Sequence, residues 1–526
     1  MTPTRPSVLT ILALAVTTFA IYAWHLASAP VYLAHDEIVF ALNAHSIAAS
    51  GRGMEGSLFP LFFHVGGNFW ATPVNIYLTS LFLKILPLSA TTIRLPSVVV
   101  GVTDVVLMYF VARKLFAREW LAVLAAAILA LTPSHMLHSR LGVDHLYPLP
   151  FLLGALLCLL LFLESGRVSR LVAAAALLSV GAYTYLASLV MMPVYFALML
   201  LTIWLKRERS PRTYIAAVVG FALPLLPLVL WLALHPAQYG QQVRMYNIYD
   251  SSRLGPLQGI KDLLSFFSLT VRVAVYYNFF NPVMLFLSGD ASVLMSTGRA
   301  GVFLLSLAVF LPVGIYRAMS GGKAGPQDPA VRLLLLLGFV AAPIAAVMVG
   351  EVRINRALVI LPFGALLAAL GVESLVASRH AFVRVAAVVL VALLPWQFYG
   401  FYRDYLTDYR IRSSVWFERN LPGAFDVVAA RAAASAAAPV YLSTDIPWID
   451  AHWTFHLIEH GRQDLLARTT YFDPKTLVPD VVPAGSLIVD YANSAAVQAL
   501  AARGQLRAVG QSTEPNGVPS FTVWER

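Results

Sequence analysis

The chain has 526 residues, of which 59% are hydrophobic and only 12% are charged. Soluble domains carry about 25% charged residues, so this composition excludes an ordinary soluble enzyme and predicts a polytopic α-helical membrane protein. The net charge is +10, but the basic residues cluster in short loops between apolar segments. That bias sets membrane orientation and does not indicate a nucleic-acid partner. A single cysteine, Cys158, excludes an intramolecular disulfide and a cysteine-based metal site.

The first apolar segment covers about residues 8–29. Its end, Ala27-Ser28-Ala29, resembles a signal-peptide cleavage site, but Pro30 would follow the cut and the apolar run is too long for a signal peptide. We therefore predict a retained first helix with the N-terminus inside. This helix delivers Ala34-His35-Asp36-Glu37 to the outer face. Ionisable residues beside membrane segments are usually functional, although an ordinary solvated loop is the alternative here.

A long outer loop follows, at about residues 30–93. Within it, the segment 74–88 is shorter than the roughly 20 residues that a spanning helix needs, and it carries Lys84. We predict an interfacial or re-entrant helix there. Ten further spans are then predicted. Five are placed by both ends, at about residues 94–111, 120–137, 144–163, 299–316 and 357–375. The other five are placed by their outer ends, at about residues 183, 187, 234, 350 and 395.

The basic residues support this layout of about eleven spanning helices in residues 1–396. Nearly every short inner loop carries two or more Lys or Arg, whereas the short outer loops carry only Arg140, Arg353 and Arg356. Treating 74–88 as a full span would reverse the bias. A second long outer loop covers about residues 235–298, and its stretch around 244–250 is a candidate lid.

Residues 397–526 have a different character and are predicted to form a small α/β domain on the outer side. Runs typical of strands lie at 439–443, 486–490 and 519–524, and alanine-rich helical stretches lie at 425–438 and 495–502. This alternation is typical of an α/β unit.

The layout brings acids, imidazoles, arginines and tyrosines to the outer ends of the helices: His35, Asp36, Glu37, His135, His138, Arg140, Asp144, His145, Tyr183, Tyr185, Glu351, Arg353 and Arg356. Arginine grips phosphate with paired hydrogen bonds. A nearby carboxylate takes a proton from an incoming hydroxyl as general base. Together they predict a lipid-phosphate substrate whose phosphate leaves as cationic groups neutralise its charge.

Structural alternatives accompany these residues. Arg94 and Arg140 are alternatively snorkelling side chains that reach headgroups. Tyr183 and Tyr185 are alternatively part of an aromatic belt. The histidines fit polar packing better than metal binding, since a His pair without a third ligand is a weak metal signal.

The ordered set resembles the polyprenyl-phosphate-sugar glycosyltransferases of the GT-C superfamily, family 39. That branch holds protein O-mannosyltransferases and the aminoarabinose transferases of lipid A. The resemblance covers about residues 8–375. The motifs that carry it are Asp36-Glu37 after the first helix, Arg94-Leu95-Pro96-Ser97 opening the second, Ser139-Arg140 with Asp144, the stretch 183–193, and Arg356 with Leu361-Pro362.

The resemblance implies an inverting transfer of a sugar from a polyprenyl-phosphate donor to an acceptor hydroxyl, on the outer face of a bacterial inner membrane. It implies that Asp36 is the catalytic base and that Asp144 is a second catalytic acidic residue. It also implies that Arg140, Arg353 and Arg356 hold the lipid phosphate. We add His35, Glu37, Arg94, Tyr183 and Tyr185 as candidate substrate-binding residues. The acceptor class (lipid, glycan or protein) stays open.

One segment departs from the family. Many relatives have Lys-Pro-Pro late in the first outer loop, where this chain has Trp70-Ala71-Thr72-Pro73. The phosphate contact of that lysine is therefore absent or supplied by another group, such as His64 or Lys84.

No cofactor is implied with certainty. Some relatives use a divalent cation and others do not. Asp36, Glu37 and the histidines would be the ligands of such a cation here.

Two other classes of function remain as alternatives. A transporter or flippase of lipid-linked glycans would show inverted repeats and broken helices, which the sequence does not display. A membrane scaffold would tolerate substitution around Asp36.

Overall fold

The computed structural model describes residues 7–66, 69–246, 248–321, 325–434, 438–477 and 481–526. The chain forms two compact units. The large unit comprises Met1–Trp24, Glu55–Leu78 and Arg94–Arg403, and the small unit comprises His25–Met54, Thr79–Ile93 and Asp404–Arg526.

The helices up to the end of the apolar region are, in chain order, α1 Val8–Ala23, α2 His35–Ser50, α3 Pro73–Leu83, α4 Ala90–Leu115, α5 Glu119–Ala130, α6 Pro133–His138, α7 Pro148–Ser165, α8 Val168–Gly181, α9 Ser188–Leu205, α10 Pro211–Ala222, α11 Leu226–Leu234, α12 Pro236–Met245, α13 Pro256–Leu263, α14 Phe266–Asn278, α15 Leu307–Ser320, α16 Pro329–Ala341, α17 Ile344–Val349, α18 Ile360–Val376 and α19 Ala381–Leu406. Strands β1 Phe63–His64 and β2 Trp70–Ala71 form an antiparallel pair.

Within the described residues, six helical segments are long and apolar enough to cross a membrane: Ala90–Leu115, Asp144–Ser165, Ser188–Leu205, Pro211–Leu234, Pro329–Val349 and Ala381–Leu406. Shorter apolar helices include α1, α5, α8, α15 and α18. Together, these segments and shorter helices cover the predicted spans in order, and the predicted helical membrane fold is confirmed. The number of eleven spans stays a prediction, as does the interfacial placement of α3.

The sequence marks the ends of these helices locally. Helix α7 begins with Pro148 at its first position and stops at Gly166, which adopts φ 66°. Proline is favoured at the first helical position because its missing N–H would be unbonded anyway, and glycine tolerates the left-handed conformation that ends a helix. Helix α16 is capped by Asp328, whose side chain accepts a hydrogen bond from Ala330 N–H.

Two glycines allow α15 and α18 to pack backbone against backbone. A Cβ added at Gly314 would collide with the carbonyl oxygen of Leu367, and one at Gly371 would collide with the carbonyl oxygen of Phe310. Small residues at helix crossings are the usual means of close approach in membranes, where packing replaces the hydrophobic effect.

The small unit contains α2 and the remaining elements: α20 Asp408–Ser413, α21 Leu421–Ala434, α22 Ile449–Glu459, α23 Ala495–Ala502, β3 Val440–Ser443, β4 Thr469–Phe472, β5 Leu487–Tyr491, β6 Arg507–Thr513 and β7 Pro519–Glu525. The five strands form one sheet in the order β4-β3-β5-β7-β6. β4, β3 and β5 are parallel, and β7 runs antiparallel to β5 and β6.

Both faces of this sheet are covered, as the alternation along β5 requires. Leu487 and Val489 face the core formed with α21 and α22, whereas Ile488 joins a second core with α23. The predicted α/β unit is therefore confirmed. The predicted helix at 425–438 is present up to Ala434, and residues 435–437 lie outside the described residues. The predicted division between 396 and 397 falls within α19 and stays a prediction.

Candidate active site

The two neighbouring acids at the start of α2 have different environments. Glu37 is fully buried, and its Oε2 accepts a hydrogen bond of 3.0 Å from the backbone N–H of Ala34. This contact is the glutamate half of a capping box, which satisfies an N–H at the helix start. The Asp36 side chain, in contrast, is 54% exposed. Asp36 is therefore the acid of the pair that faces solvent, and Glu37 shapes the helix that carries it.

His35 connects Asp36 to the C-terminal part of the small unit. Its Nε2 lies 3.2 Å from Asp36 Oδ1, its Nδ1 lies 3.3 Å from Glu418 Oε1, and its ring stacks on Trp448 with centroids 5.4 Å apart. Burial lowers the pKa of His35, but the hydrogen bonds to Asp36 and Glu418 outweigh it and raise the pKa to about 10. At neutral pH a positive imidazolium thus lies between two carboxylates.

The two partners of His35 have unusual backbone conformations. Glu418 has φ 61° and Trp448 has φ 55°, both in the left-handed region. Such residues other than glycine cost of order 1–3 kcal/mol each and persist where the surroundings fix them. Strain of this kind concentrates at functional sites, which supports a functional role for the His35 neighbourhood.

A cavity of about 270 Å³ lies in the small unit. Its lining is mainly apolar, with Leu33, Ile38, Phe417, Glu418, His452 and Phe455 among the lining residues. His452 is 5% exposed, and burial lowers its pKa to about 4, so the imidazole is neutral. An apolar pocket with a few polar groups is typical of a ligand site.

In the large unit, Asp144 is held by the segment 70–73 of the first outer loop, which differs from the Lys-Pro-Pro of many relatives. The Thr72 hydroxyl donates a hydrogen bond of 3.0 Å to Asp144 Oδ2, and both side chains are buried. Asp144 opens a short 3₁₀ turn, Asp144–Leu146, that leads into α7. Thr72 stands in the Trp70-Ala71-Thr72-Pro73 segment, so this segment contacts a candidate catalytic acid directly.

The residue after Asp144 joins an aromatic and amide cluster. His145 Nε2 lies 3.1 Å from Asn355 Nδ2, and its ring makes edge contacts with the rings of His138 and Tyr185, at centroid distances of 5.8 and 5.3 Å. The cluster therefore ties the loop before α7 to the ends of α6 and α8 and to the loop before α18.

That last loop holds the two arginines. The Arg356 side chain is 15% exposed, and its guanidinium lies 2.6 Å from Glu351 Oε2 and covers the ring of Tyr246 at 5.7 Å. The Arg353 side chain is 43% exposed and lies 3.9 Å from Asp290 Oδ1. Two arginines at one loop, each partly accessible, suit an anionic group.

Asp290 fixes the same loop. Its Oδ2 accepts a hydrogen bond of 2.6 Å from Ile354 N–H, and its Oδ1 accepts one of 2.7 Å from Ser292 N–H. Burial raises the pKa of Asp290, while these backbone hydrogen bonds and Arg353 and Arg356 act in the opposite direction. Asp290 thus holds the backbone between the two arginines.

Two of the predicted site residues bind the backbone of neighbouring helices. Arg140 is fully buried, and its Nη1 donates to the carbonyl oxygens of Tyr22 and of Trp24, the latter at 2.8 Å. A cation is favoured there because helix C-termini carry partial negative charge. Tyr183 donates to Pro224 O at 2.7 Å and accepts from Leu228 N at 3.2 Å, which bridges the break between α10 and α11.

Arg94, in α4, is fully buried as well. The burial of Arg94 and Arg140 inside the protein argues against the snorkelling alternative. Of the predicted residues, His35, Asp36 and Glu37 lie in the small unit; Arg94, Arg140, Asp144, Tyr183, Tyr185, Arg353 and Arg356 lie in the large unit.

Comparison with known proteins gives two kinds of match. The family described as dolichyl-phosphate-mannose-protein mannosyltransferase matches residues 71–231. The crystal structure of ArnT from Cupriavidus metallidurans bound to undecaprenyl phosphate has a TM-score of 0.59 at 14% identity, covering 98% of this chain and 97% of that one. Its apo state has a TM-score of 0.57 at the same identity and coverage.

A third structure is more distant. The oligosaccharyltransferase of Archaeoglobus fulgidus, tethered to an acceptor peptide, has a TM-score of 0.50 at 14% identity and covers 98% of this chain and 74% of that one. No curated protein sequence matches the chain. The chain has the GT-C glycosyltransferase fold. Together with the family match, this fold confirms the resemblance stated from the sequence and the predicted class, a membrane glycosyltransferase.

Several residues of this GT-C protein were missed by sequence reasoning. Asp290, Asn355, Glu418 and Trp448 contact the predicted site residues. Glu418 lies 383 positions from His35, and no local pattern signals such a pair. For Asp290 a signal existed, since it is an isolated acid beside glycine in the second outer loop.

Proposed function

We propose that this protein is an inverting glycosyltransferase that moves a sugar from a polyprenyl-phosphate donor to an acceptor hydroxyl. The observation that carries the proposal is the likeness, over 98% of this chain, to an ArnT that binds undecaprenyl phosphate. The solvent-facing Asp36 and the paired arginines of the loop before α18 support it, because this reaction needs a base and an anion-binding group.

Asp36 is the general base of the proposed reaction. Its carboxylate takes the proton of the acceptor hydroxyl while the hydroxyl oxygen attacks the anomeric carbon of the sugar. The bond from that carbon to the phosphate oxygen breaks, and the electron pair leaves with the lipid phosphate. The imidazolium of His35, 3.2 Å away, orients the Asp36 carboxylate.

Arg353 and Arg356 bind the phosphate of the donor. As the phosphate leaves, it gains negative charge, and a guanidinium stabilises that charge more strongly in the transition state than in the bound donor. Arg356 is the stronger candidate because Glu351 and Tyr246 hold its guanidinium in place. In this proposal, Tyr185 and Asn355 shape the pocket around the phosphate through His145.

The same proposal assigns the reaction to the extracytoplasmic face of the bacterial inner membrane, with the small unit outside. The supporting observation is the distribution of Lys and Arg among the short loops, which the positive-inside rule relates to orientation. Because the arginine-rich loops are assigned to the inner side, the loops after α1, α6, α8 and α17 lie outside in this proposal.

The test is release of polyprenyl phosphate by the purified protein in lipid, with a panel of radiolabelled polyprenyl-phosphate sugars and an envelope extract as acceptor. Wild type is expected to release lipid phosphate with one donor, and Asp36→Asn is expected to lower the rate by about 10²–10⁴-fold. Asp450→Asn, an exposed aspartate of the small unit, is the matched control and should keep full activity.

Unchanged release by Asp36→Asn would reject the role of this residue. No release with any donor, combined with movement of labelled lipid between leaflets of sealed vesicles, would reject the transferase and favour a flippase.

A further inference from the structure

A group of three potential metal ligands lies in the small unit and contains none of the residues assigned to the proposed reaction. Among the described residues, Asp426, His456 and His460 place one ligand atom each within 4.8 Å of one another. Asp426 belongs to α21, His456 belongs to α22, and His460 directly follows the last residue of α22. The two histidines are four positions apart, which puts them on one face of the helix.

The orientation of the two imidazoles suits ligation. His460 Nδ1 lies 2.9 Å from the backbone carbonyl oxygen of His456, which fixes the ring and leaves Nε2 as the ligand atom. Metal-binding histidines almost always make such a bond through the other ring nitrogen. The centroids of the two rings lie 4.2 Å apart.

His456 is a buried imidazole with a ring nitrogen left unsatisfied by the described residues. Its side chain is 6% exposed, and its Nε2 has no hydrogen-bond partner among the residues that the structure describes. Asp426 Oδ1 lies 3.7 Å from that nitrogen. A buried polar atom left without a partner costs free energy, and native structures usually satisfy it with water or an ion.

We propose that Asp426, His456 and His460 bind a divalent transition-metal ion, with Zn²⁺ the best fit. Two imidazoles and a carboxylate are a common zinc ligand set, and a fourth position is left for water or another group. Tetrahedral Zn²⁺ with bonds near 2.1 Å brings ligand atoms to roughly 3.4 Å from one another. The exposed Asp426 side chain has the freedom to close the remaining gap.

The ion would fasten α21 to α22. Helix α22 also packs against α2, since Phe455 shares an apolar cluster with Ile38, Ala41 and Leu42. Because α2 carries Asp36 and α22 begins directly after Trp448, the partner of His35, the site would brace the helix that presents Asp36. His456 also lines the cavity of the small unit.

The experiment uses the full chain, purified without a polyhistidine tag, stripped with a chelator and titrated with Zn²⁺ and with Co²⁺. Metal content is measured by mass spectrometry, and the d–d absorption of Co²⁺ reports coordination geometry. We expect about one ion per chain, tetrahedral Co²⁺ absorption and a rise in the thermal unfolding midpoint. His460→Ala and Asp426→Asn should each weaken binding by at least about tenfold.

The two variants change exposed side chains, so folding is preserved, and circular dichroism verifies it. His380→Ala and Asp450→Asn change an exposed histidine and an exposed aspartate elsewhere and should bind metal as wild type does. The proposal is overturned if wild type retains no stoichiometric metal, or if both ligand variants bind it with unchanged affinity and an unchanged Co²⁺ spectrum.

Discussion

The charged groups around His35 and the polar cluster around His145 are built in opposite ways. The first combines a half-exposed Asp36, a cationic His35 and two residues in left-handed backbone. The second consists of buried side chains that contact one another, with Thr72 on Asp144 and Asn355 on His145. One cluster presents charge to solvent, and the other fixes loops in the large unit.

This difference separates a structural from a catalytic role, two roles that the position of an acidic residue in the sequence does not distinguish. Acidic residues at helix starts and loops all qualify as candidate catalytic groups when only their position is known. Glu37 accepts a hydrogen bond from a backbone N–H and Asp144 accepts one from a hydroxyl, which hold these carboxylates in place, and the catalytic role of Asp144 stays a prediction. An acid paired with a cation and open to solvent retains the capacity to accept a proton. Substitutions in the two clusters should therefore have different signatures.

Of the two arginines, Arg356 is expected to have the larger effect. Arg356→Gln removes a guanidinium held against Glu351 and Tyr246, and should lower kcat/KM for the lipid donor by about 10²–10³-fold. Arg353→Gln, at a side chain 43% exposed, should lower it only about tenfold. Steady-state kinetics with the radiolabelled donor give both numbers. Equal losses would show that the two arginines act alike.

The second expectation concerns Thr72. Thr72→Val removes the donor to a buried oxygen of Asp144 and should lower the free energy of unfolding by about 1–3 kcal/mol. Thr72→Ser keeps the hydroxyl and is the control, expected to stay within about 1 kcal/mol of wild type because it deletes only a methyl group. Urea titration in detergent measures both. A Val variant as stable as wild type would mean that Asp144 does not depend on Thr72.

A third test divides the acidic pair itself. Glu37→Ala removes the contact to Ala34 N–H and should destabilise the protein by about 0.5–2 kcal/mol, as lost helix caps do. Asp36→Ala should also lose stability at neutral pH, because Asp36 helps to hold the proton on His35, but unlike Glu37→Ala it should abolish sugar transfer. The measurements are thermal unfolding and donor turnover on the same samples. The reverse pattern would exchange the roles of the two residues.

Much of the fold was accessible from the sequence because its signals are local. Apolar length predicts the membrane helices, and runs such as Leu487–Tyr491 predict strands by composition. Proline and glycine mark helix ends, as Pro148 and Gly166 do for α7. The close crossing of Gly314 and Gly371 was not predicted, because it depends on two helices meeting at one point.

The candidate site was only partly accessible. The sequence identified Asp36, Asp144 and Arg356 as residue types that the chemistry needs, but it could not pair His35 with Glu418 or assign Arg140 to backbone carbonyls. Those distinctions depend on which distant group lies opposite each side chain. Glu418 and Trp448 reach His35 from the other end of the chain.

The last prediction concerns the pH dependence of the His35 cluster. The folded pKa of His35 is about 10, above its ordinary value of about 6.5. A raised pKa means that the cluster stabilises the fold fully below about pH 6.5, and that this contribution is lost as pH rises to about 10. The unfolding midpoints of wild type and His35→Gln should therefore differ at pH 6 and converge towards pH 10.

Glu418→Gln provides the matched control for this titration. It removes one of the two carboxylates that hold the proton on His35, so its midpoint should converge with that of wild type over the same pH range but from a smaller difference. Arg462→Gln, at an exposed ion pair with Asp464, should show no such convergence because neither group titrates there. A gap between wild type and His35→Gln that stays constant from pH 6 to pH 10 would mean that folding does not raise the pKa of His35. At neutral pH the solvent-facing cluster would then lack the positive charge that distinguishes it from the buried one.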